Sequence, residues 1–177
     1  MSEIACAFTG HRPKSFPWKN SETDPGCVLL KEVLAEQIKL LADRGVTDWL
    51  SGMAQGVDLW AAEIVLDLKE KNPALHLHCI LPCEGQERKW PASERERYHS
   101  ILRQADGVIY VNREYHDDCM LERNRYLVDH SSVLLAVYNG THRSGTGMTV
   151  RYAKRLGREV IVIGPVSRSV SCEKAEQ

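Results

Sequence analysis

Three segments of the sequence combine glycine with small or hydroxyl residues, a combination suited to binding an anion. They are 9–13 (Thr-Gly-His-Arg-Pro), 51–58 (Ser-Gly-Met-Ala-Gln-Gly-Val-Asp) and 144–147 (Ser-Gly-Thr-Gly). Glycine lets a backbone approach a phosphate closely, and the free amides and dipole at a helix start favour negative charge by about 0.3–1 kcal/mol. Segment 51–58 matches neither the Gly-x-Gly-x-x-Gly dinucleotide fingerprint nor the Walker A pattern, which disfavours ordinary dehydrogenases and P-loop ATPases. The candidate ligand-binding residues of the three segments are Thr9, Gly10, His11, Arg12, Ser51, Gly52, Gly56, Asp58, Ser144, Gly145 and Thr146.

The first segment carries the side chains His11 and Arg12. Pro13 biases Arg12 toward an extended conformation that can aim its guanidinium at a phosphate; the alternative is a surface salt bridge. His11 can donate to a phosphate or a ribose, or it can hold its own loop through a backbone hydrogen bond. Both residues are therefore candidates for ligand contact, with a structural alternative for each.

The second segment carries Ser51 and Asp58. Asp58 is expected in the first turn of a helix, where the dipole stabilises a carboxylate without any ligand. If Asp58 is functional, it would orient Arg12 or accept from a ribose hydroxyl, because two anions at one helix end repel. Ser51 can cap the helix or donate to a phosphate, and these two roles are compatible. In the third segment, Ser144 and Thr146 can both donate hydroxyl hydrogen bonds.

Apolar periodicity predicts alternating strands and helices that would bring these segments together. Short apolar runs predict strands at 4–9, 46–50, 75–81, 108–111, 133–138 and 160–163, and three- to four-residue spacing predicts helices at 28–41, 57–68, 93–104, 120–128 and 149–156. Ser93 and Glu96 predict a capping box at the third helix. Nearly continuous apolar strands indicate an α/β fold, a mostly parallel sheet with helices on both faces. In such folds the ligand crevice lies beyond the carboxyl ends of the strands.

Length and charge limit the classes of protein to consider. The 177 residues favour one compact domain, which we place at 1–165, followed by a polar and flexible tail at 166–177. With 23 Lys and Arg against 24 Asp and Glu, the net charge of −1 disfavours a non-specific DNA coat. A nucleic-acid partner would need a local basic patch.

Cysteine usage and hydropathy indicate the compartment. Six cysteines are too sparse for a disulfide scaffold, and the first residues lack a cationic and apolar leader, so we expect a reducing cytoplasm. No apolar stretch approaches the roughly 20 residues of a membrane span, so no membrane partner is expected. Cys79 and Cys83 have no second pair that would complete a zinc site, and we expect no metal.

The motifs resemble those of the SLOG superfamily. Segment 51–58 is similar to the Ser-Gly-x-Ala-x-Gly-hydrophobic-Asp segment of the Rossmann domain in DNA-processing protein A (Smf). The stretch from Glu-Arg-Asn-Arg at 122–125 through 133–137, 144–146 and 152–153 to Gly-Arg-Glu-Val at 157–160 is similar to the same family. The opening Thr-Gly-His-Arg-Pro at 9–13 is closer to the YpsA-like branch. The resemblance covers about residues 4–165.

The resemblance implies a Rossmann-like doubly wound domain that binds a nucleotide or nucleotide-derived small molecule as a sensor or regulator, with no further cofactor. It also raises Arg123 and Asn124 as ligand-facing residues, against the alternative of a solvated face in a charge-rich helix. LOG-type phosphoribohydrolases of this grouping carry Pro-Gly-Gly-x-Gly-Thr-x-x-Glu, but the Glu position here is Thr149, which disfavours hydrolysis because Thr cannot act as a carboxylate acid or base. Single-stranded DNA binding is the third alternative, and a homo-oligomer is compatible with the pattern.

Overall fold

The structure is a computed structural model that describes residues 4–173. Within them, the strands are β1 Ala5–Gly10, β2 Asp48–Ser51, β3 His76–Leu81, β4 Gly107–Tyr110, β5 Val133–Val137, β6 Glu159–Ile163 and β7 Val170–Glu173. The helices are α1 Pro25–Asp43, α2 Val57–Lys71, α3 Ala92–Gln104, α4 Cys119–Asp129 and α5 Gly145–Arg155. A short 3-10 turn at Pro13–Ser15 follows β1.

The strands form one sheet in the order β4-β3-β2-β1-β5-β6-β7. Strands β1 to β6 are parallel, and only β7 is antiparallel to its neighbour among the described strands. This confirms the predicted α/β fold of the Rossmann-like type. The chain moves outward from β1 to β4 and then returns to place β5 on the other side of β1. The gap beyond β1 and β5 is therefore the topological switch point, where open α/β sheets bind ligands.

The two faces of the sheet build two apolar cores. Helices α1, α2 and α3 pack on one face, where Phe8 and Trp49 stack with their ring centroids 5.8 Å apart. Helices α4 and α5 pack on the other face, against Ala5 and Ala7 of β1. Successive residues of β1 thus enter opposite cores, because side chains alternate along a strand. No helix within residues 4–173 is long and apolar enough to cross a membrane.

Of the described helices, only α2 begins at the predicted residue; α1 begins three residues early, at Pro25, and α4 one residue early, at Cys119. The starts of α3 and α5 differ from the prediction in their caps as well. Helix α3 begins at Ala92 after Pro91, and no side chain caps it, so the predicted capping box of Ser93 and Glu96 is wrong. Helix α5 begins at Gly145 instead of 149, because the Oγ of Ser144 accepts from the amide of Gly147 and caps it there. Apolar periodicity registers the buried face of a helix, and a glycine-rich first turn contributes little to that signal.

The expected flexible tail at 166–177 is in part ordered. Strand β7, Val170–Glu173, pairs with β6, and all of its side chains are exposed. Backbone hydrogen bonds to β6 hold this strand, and its side chains are not buried. The sequence therefore shows no apolar pattern there. A tail is therefore the wrong description for residues 170–173. Residues 174–177 of the predicted tail lie outside the described residues.

An ion-pair network fixes the segment between β1 and α1. Arg97 of α3 reaches Glu22 of this segment at 2.6 Å and also pairs with Glu63 of α2. Lys31 of α1 pairs with Glu22 as well. Burial raises the pKa of the Glu22 carboxyl, but the hydrogen bonds from Arg97 and Lys31 outweigh this and lower the pKa to about 2. The segment that follows the first glycine loop is thereby tied to three helices.

We expect Glu22→Gln to lower the free energy of unfolding at pH 6 by about 1–2 kcal/mol, because a charged hydrogen-bond acceptor is lost. The folded pKa of Glu22 lies below its ordinary value of 4.5, so its contribution is complete above about pH 4.5 and disappears as the pH falls toward about 2. Urea unfolding of both proteins at pH 6 and pH 3 measures this, and the difference should shrink at pH 3.

Glu36→Gln is the matched control, since Glu36 is exposed on α1 and forms no ion pair within residues 4–173. Its effect should stay within about 0.5 kcal/mol at both pH values. An equal destabilisation by Glu22→Gln at pH 3 and pH 6 would contradict the assigned role of the carboxylate.

Candidate functional site

A cleft of about 310 Å³ opens at the switch point between β1 and β5. Ten predicted site residues line it: Thr9, Gly10, His11, Arg12, Asp58, Arg123, Asn124, Ser144, Gly145 and Thr146. Four lining residues were not predicted: Phe8, Lys14, Ser15 and Ala54. Loops that are distant in sequence thus meet at one edge of the sheet, as the strand alternation predicted.

The first turn of α5 presents free donors to the cleft. Ser144 caps the helix, with its Oγ accepting from Gly147 at 3.0 Å and donating to the carbonyl of Thr141 at 2.9 Å. The hydroxyl of Ser144 is therefore used within the protein. The amides of Gly145 and Thr146 have no hydrogen-bond partner among residues 4–173. Two unpaired amides at the positive end of a helix dipole form a site suited to an anion.

Two threonine hydroxyls in the cleft also lack a partner. Thr9 and Thr146 are 7% and 6% exposed, and neither side chain forms a hydrogen bond within residues 4–173. Neither hydroxyl oxygen is among the fully buried side-chain atoms that lack a partner in the described chain, so both are accessible from the cleft. Both threonines line the cleft, so an occupant of the cleft can supply the missing partner.

Two cationic side chains extend over the cleft from the turn after β1. Arg12 adopts the predicted extended conformation, with φ −83° and ψ 162°, and its guanidinium has no hydrogen bond or ion pair in the described part of the chain. The predicted alternative, a surface salt bridge, is thus absent within residues 4–173. Lys14 lines the same cleft because the 3-10 turn that starts at Pro13 brings it back beside Arg12. In the sequence, Pro13 directly after Arg12 indicates a turn, and that turn could have predicted that Lys14 lies near Arg12.

Arg123 lies inside the protein, at 4% exposure, and not on a solvated helix face. Its Nη1 donates to the carbonyl oxygen of Gly52, and its Nε donates to Oδ1 of Asn124 at 2.9 Å. Burial lowers the pKa of Arg123, while the negative charge of Asp58 opposes that shift. Arg123 thus connects α4 to the loop between β2 and α2, and it also contributes to the wall of the cleft.

Asp58 is the carboxylate of the cleft wall. Its Oδ2 accepts from the amide of Ala54 at 3.2 Å, in the loop that leads into α2. Burial raises the pKa of Asp58, whereas Arg123, the Ala54 amide and Arg12 lower it. The net shift of the Asp58 pKa is upward, because burial outweighs the two cations and the amide. The other carboxyl oxygen, Oδ1, has no hydrogen-bond partner in the described chain. No hydrogen bond or ion pair joins Asp58 to Arg12 in the described chain, so the orienting role considered from the sequence stays a prediction.

Three predicted site residues, Ser51, Gly52 and Gly56, do not line the cleft. The Oγ of Ser51 donates to the carbonyl of Asp58 at 2.8 Å and accepts from the amide of Met53 at 3.2 Å. These bonds close the loop on itself, so the hydroxyl is not free for a phosphate. The role of Ser51 is therefore to shape the loop. The predicted helix cap is wrong, because Gly56 is the N-cap of α2 and no side chain caps that helix.

The glycines of the first two loops make room for protein atoms and not for a ligand. A Cβ at Gly52 would lie 2.5 Å from Nη1 of Arg123, and one at Gly10 would lie 2.5 Å from Cβ of Val57. Gly56 has a φ of +90°, which only glycine adopts without strain. By contrast, a Cβ at Gly145 would meet nothing within 4 Å. Close approach of a ligand to the backbone is therefore available at Gly145.

His11 joins the two loops at the switch point. Its Nε2 accepts from the amide of Asn139, after β5, at 3.2 Å, which places the ring proton on Nδ1. Burial lowers the pKa of His11, and the ring is neutral at neutral pH. The loop-holding role considered from the sequence is therefore present. His11 also lines the cleft, where its Nδ1–H has no partner within residues 4–173.

Thr149, at the position of the LOG-type glutamate, lies in the second turn of α5. It is 3% exposed, and its Oγ1 donates to the carbonyl of Gly145 at 2.9 Å. It does not line the cleft. Its hydroxyl therefore supports the helix that carries the free amides.

Comparison with known proteins identifies the relatives of the chain. A model of the YspA SLOG family matches residues 6–161. The chain is 34% identical over 137 residues to a UPF0398 protein of Halalkalibacterium halodurans, with 76% of this chain and 72% of the relative aligned. It is 32% identical over 152 residues to a UPF0398 protein of Bacillus pumilus, with 84% and 80% aligned. The names of these relatives state no ligand, so the ligand has to be argued from the site.

We expect Gly52→Ala to lower the free energy of unfolding by about 1–3 kcal/mol, because the added methyl group displaces the buried guanidinium of Arg123 from its carbonyl partner. Gly145→Ala is the matched control, since its methyl group enters open space. Its effect should stay within about 0.5 kcal/mol. Urea unfolding monitored by tryptophan fluorescence measures both, and equal stability of the two variants would contradict the packing role of Gly52.

Proposed function

The chain belongs to the YspA SLOG family, and on this premise we propose that it binds a nucleotide or nucleotide-derived ligand in the cleft and acts as a sensor or regulator. The phosphate of the ligand would lie at the first turn of α5, where the amides of Gly145 and Thr146 are free. Arg12 and Lys14, which line the same cleft, would neutralise its charge.

The carrying observation is the set of unpaired donors in a largely buried place. The hydroxyls of Thr9 and Thr146 and the two α5 amides all lack partners within residues 4–173. Because these donors have no partner in the described chain, an anionic occupant that accepts several of their bonds gains about 0.5–1.5 kcal/mol for each. Charge-assisted hydrogen bonds of this kind are about twice as strong as neutral ones.

The other polar groups of the cleft are suited to a ribose. Oδ1 of Asp58 can accept from a ribose hydroxyl, and Nδ1–H of His11 can donate to one. Both side chains are held by backbone amides, at Ala54 and Asn139, so little conformational entropy is lost when a ligand binds. A phosphorylated ribose can therefore bond to both side chains through its hydroxyl groups while its phosphate lies at the first turn of α5.

Binding is favoured over glycosidic hydrolysis by the chemistry of the cleft wall. Asp58 is the only carboxylate among the described residues that line the cleft. It accepts a hydrogen bond from the Ala54 amide and lies near the buried Arg123. Glycoside hydrolysis commonly uses a pair of carboxyl groups that flank the bond. Single-stranded DNA binding would need a cationic groove with several aromatic side chains on which bases stack. Phe8 and His11 are the only rings among the described lining residues of the cleft, which disfavours this alternative.

We expect calorimetry to detect at least one of AMP, CMP, GMP and UMP with a Kd below about 1 mM, and the matching nucleoside to bind at least about tenfold more weakly because the phosphate carries the interaction. Thr146→Val removes one hydroxyl donor and should weaken binding about tenfold. Arg12→Gln should weaken it by a similar factor and reduce its dependence on salt.

Thr23→Val and Arg95→Gln are the matched controls, since both residues are exposed and lie outside the cleft. They should leave the affinity unchanged within about twofold. Absence of binding by all four nucleotides and by the longer nucleotide-derived probes described below would overturn the proposal. Release of free base during the titration, detected by chromatography, would replace the regulator role with an enzymatic one.

A further inference from the structure

A second and larger cavity, of about 610 Å³, lies between α4 and α5. It shares Asn124 and Gly145 with the cleft, so the two spaces adjoin at these residues. We call the second cavity the α4–α5 groove. Oδ1 of Asn124 accepts from Arg123, which leaves the amide nitrogen Nδ2 at the junction without a partner in the described chain. A ligand that begins in the cleft can therefore continue into the groove past a free donor.

The floor of the groove is apolar and adaptable. Met120 and Leu121 of α4 face Met148 and Tyr152 of α5 across it, and Met148 is 47% exposed. Methionine and tyrosine are side chains on which a flat ring packs well, because the thioether is polarisable and the phenol is planar. Nothing in the proposed binding of a mononucleotide uses this surface.

The rim of the groove is cationic. Arg125, Arg151, Lys154 and Arg155 all line it, against a single carboxylate, Asp117, among the described lining residues. Lys154 pairs with Glu173 at 2.6 Å, so the three arginines carry most of the positive charge. The guanidinium carbons of Arg125 and Arg155 lie 5.9 and 5.7 Å from the ring centroid of Tyr152. The guanidinium groups are thus held close to the apolar floor. This charge attracts a further anionic group of a ligand and disfavours a basic one.

Volume also indicates a ligand longer than a mononucleotide. Ligand pockets commonly measure about 300–1,000 Å³, and the cleft alone, at about 310 Å³, is at the lower limit. The groove alone is about twice as large. A phosphorylated ribose would occupy the cleft, and the groove would remain for a second ring system with its own phosphate.

We propose that the cleft and the α4–α5 groove together hold a dinucleotide, two nucleoside units joined through phosphate. This inference rests on the proposed function. The first phosphate binds the first turn of α5, the second unit lies on Met148 and Tyr152, and the further phosphate charge faces Arg151 and Arg155. The class includes linear phosphodiester dinucleotides and pyrophosphate-linked ones, and both types serve as probes below.

The test compares AMP with two longer probes, the 5′-phosphorylated linear dinucleotide pApA and the pyrophosphate-linked dinucleotide AppA, by calorimetry at about 0.1 M salt. We expect at least one longer probe to bind at least tenfold more tightly than AMP. Arg155→Glu should remove most of that gain and leave AMP unchanged within twofold, since Arg155 lies ten residues, about 15 Å, along α5 from Gly145, beyond the Debye length of about 10 Å. Tyr152→Ala should reduce the gain in the same selective way.

Arg95→Glu on α3 makes the same charge change at an exposed site away from the groove and should alter neither affinity. If AMP binds and neither longer probe binds more tightly, the dinucleotide inference is wrong while the proposed function stands. If no probe binds, the proposed function itself fails. A groove covered by a second copy of this chain would also overturn the inference, and sedimentation would reveal it as a dimer that Arg155→Glu and Tyr152→Ala dissociate.

Discussion

The structure depends on a buried cation, the guanidinium of Arg123, bonded to the carbonyl of Gly52 and balanced by Asp58. Helix α4 covers one face of the sheet and α2 the other, so this contact joins the two layers at the edge where ligands bind. A buried charge is costly unless it is hydrogen-bonded and paired, and removing either partner would leave it uncompensated. The contact therefore constrains residue 52 to glycine and fixes the relative positions of both cleft walls.

The polar groups of the cleft form two sets, those that are hydrogen-bonded within the protein and those that have no partner in the described chain. Ser51, Ser144 and the Oδ2 atom of Asp58 spend their hydrogen bonds on the protein, and they set the shape of the loops. Thr9, Thr146 and the first amides of α5 make no such bonds within residues 4–173. A rigid frame that carries unsatisfied donors is preorganised for an acceptor ligand, because binding then orders few additional groups.

The distribution of charge explains how a chain of net charge −1 can attract an anion. Arg12 and Lys14 stand over the cleft, and the rim of the groove adds the arginines of α4 and α5. Asn124 lines both regions. Its side-chain carbonyl oxygen accepts a hydrogen bond from Arg123, the residue that also anchors α4. The boundary between cleft and groove is thus positioned by the same buried contact that closes the fold.

The sequence predicted the elements that are held by buried apolar side chains and missed those that are held by hydrogen bonds alone. Apolar runs and helical spacing predicted the sheet, its covering helices and the meeting of the three loops at one edge, because burial of apolar side chains leaves a periodic trace in the chain. Strand β7 and the start of α5 at Gly145 left no such trace, since backbone hydrogen bonds and a cap determine them.

The sequence by itself determined the α/β fold and which loops meet at the sheet edge. Only the tertiary structure decided the duty of each polar residue in those loops: Ser51 and Gly52 face the protein, and Gly145 and Thr146 face the cleft. Residue type fixes which hydrogen bonds a group can make, but whether a partner is present depends on chain segments that are distant in sequence. The protein's own Arg123 therefore occupies the space above Gly52, where local sequence suggested a phosphate.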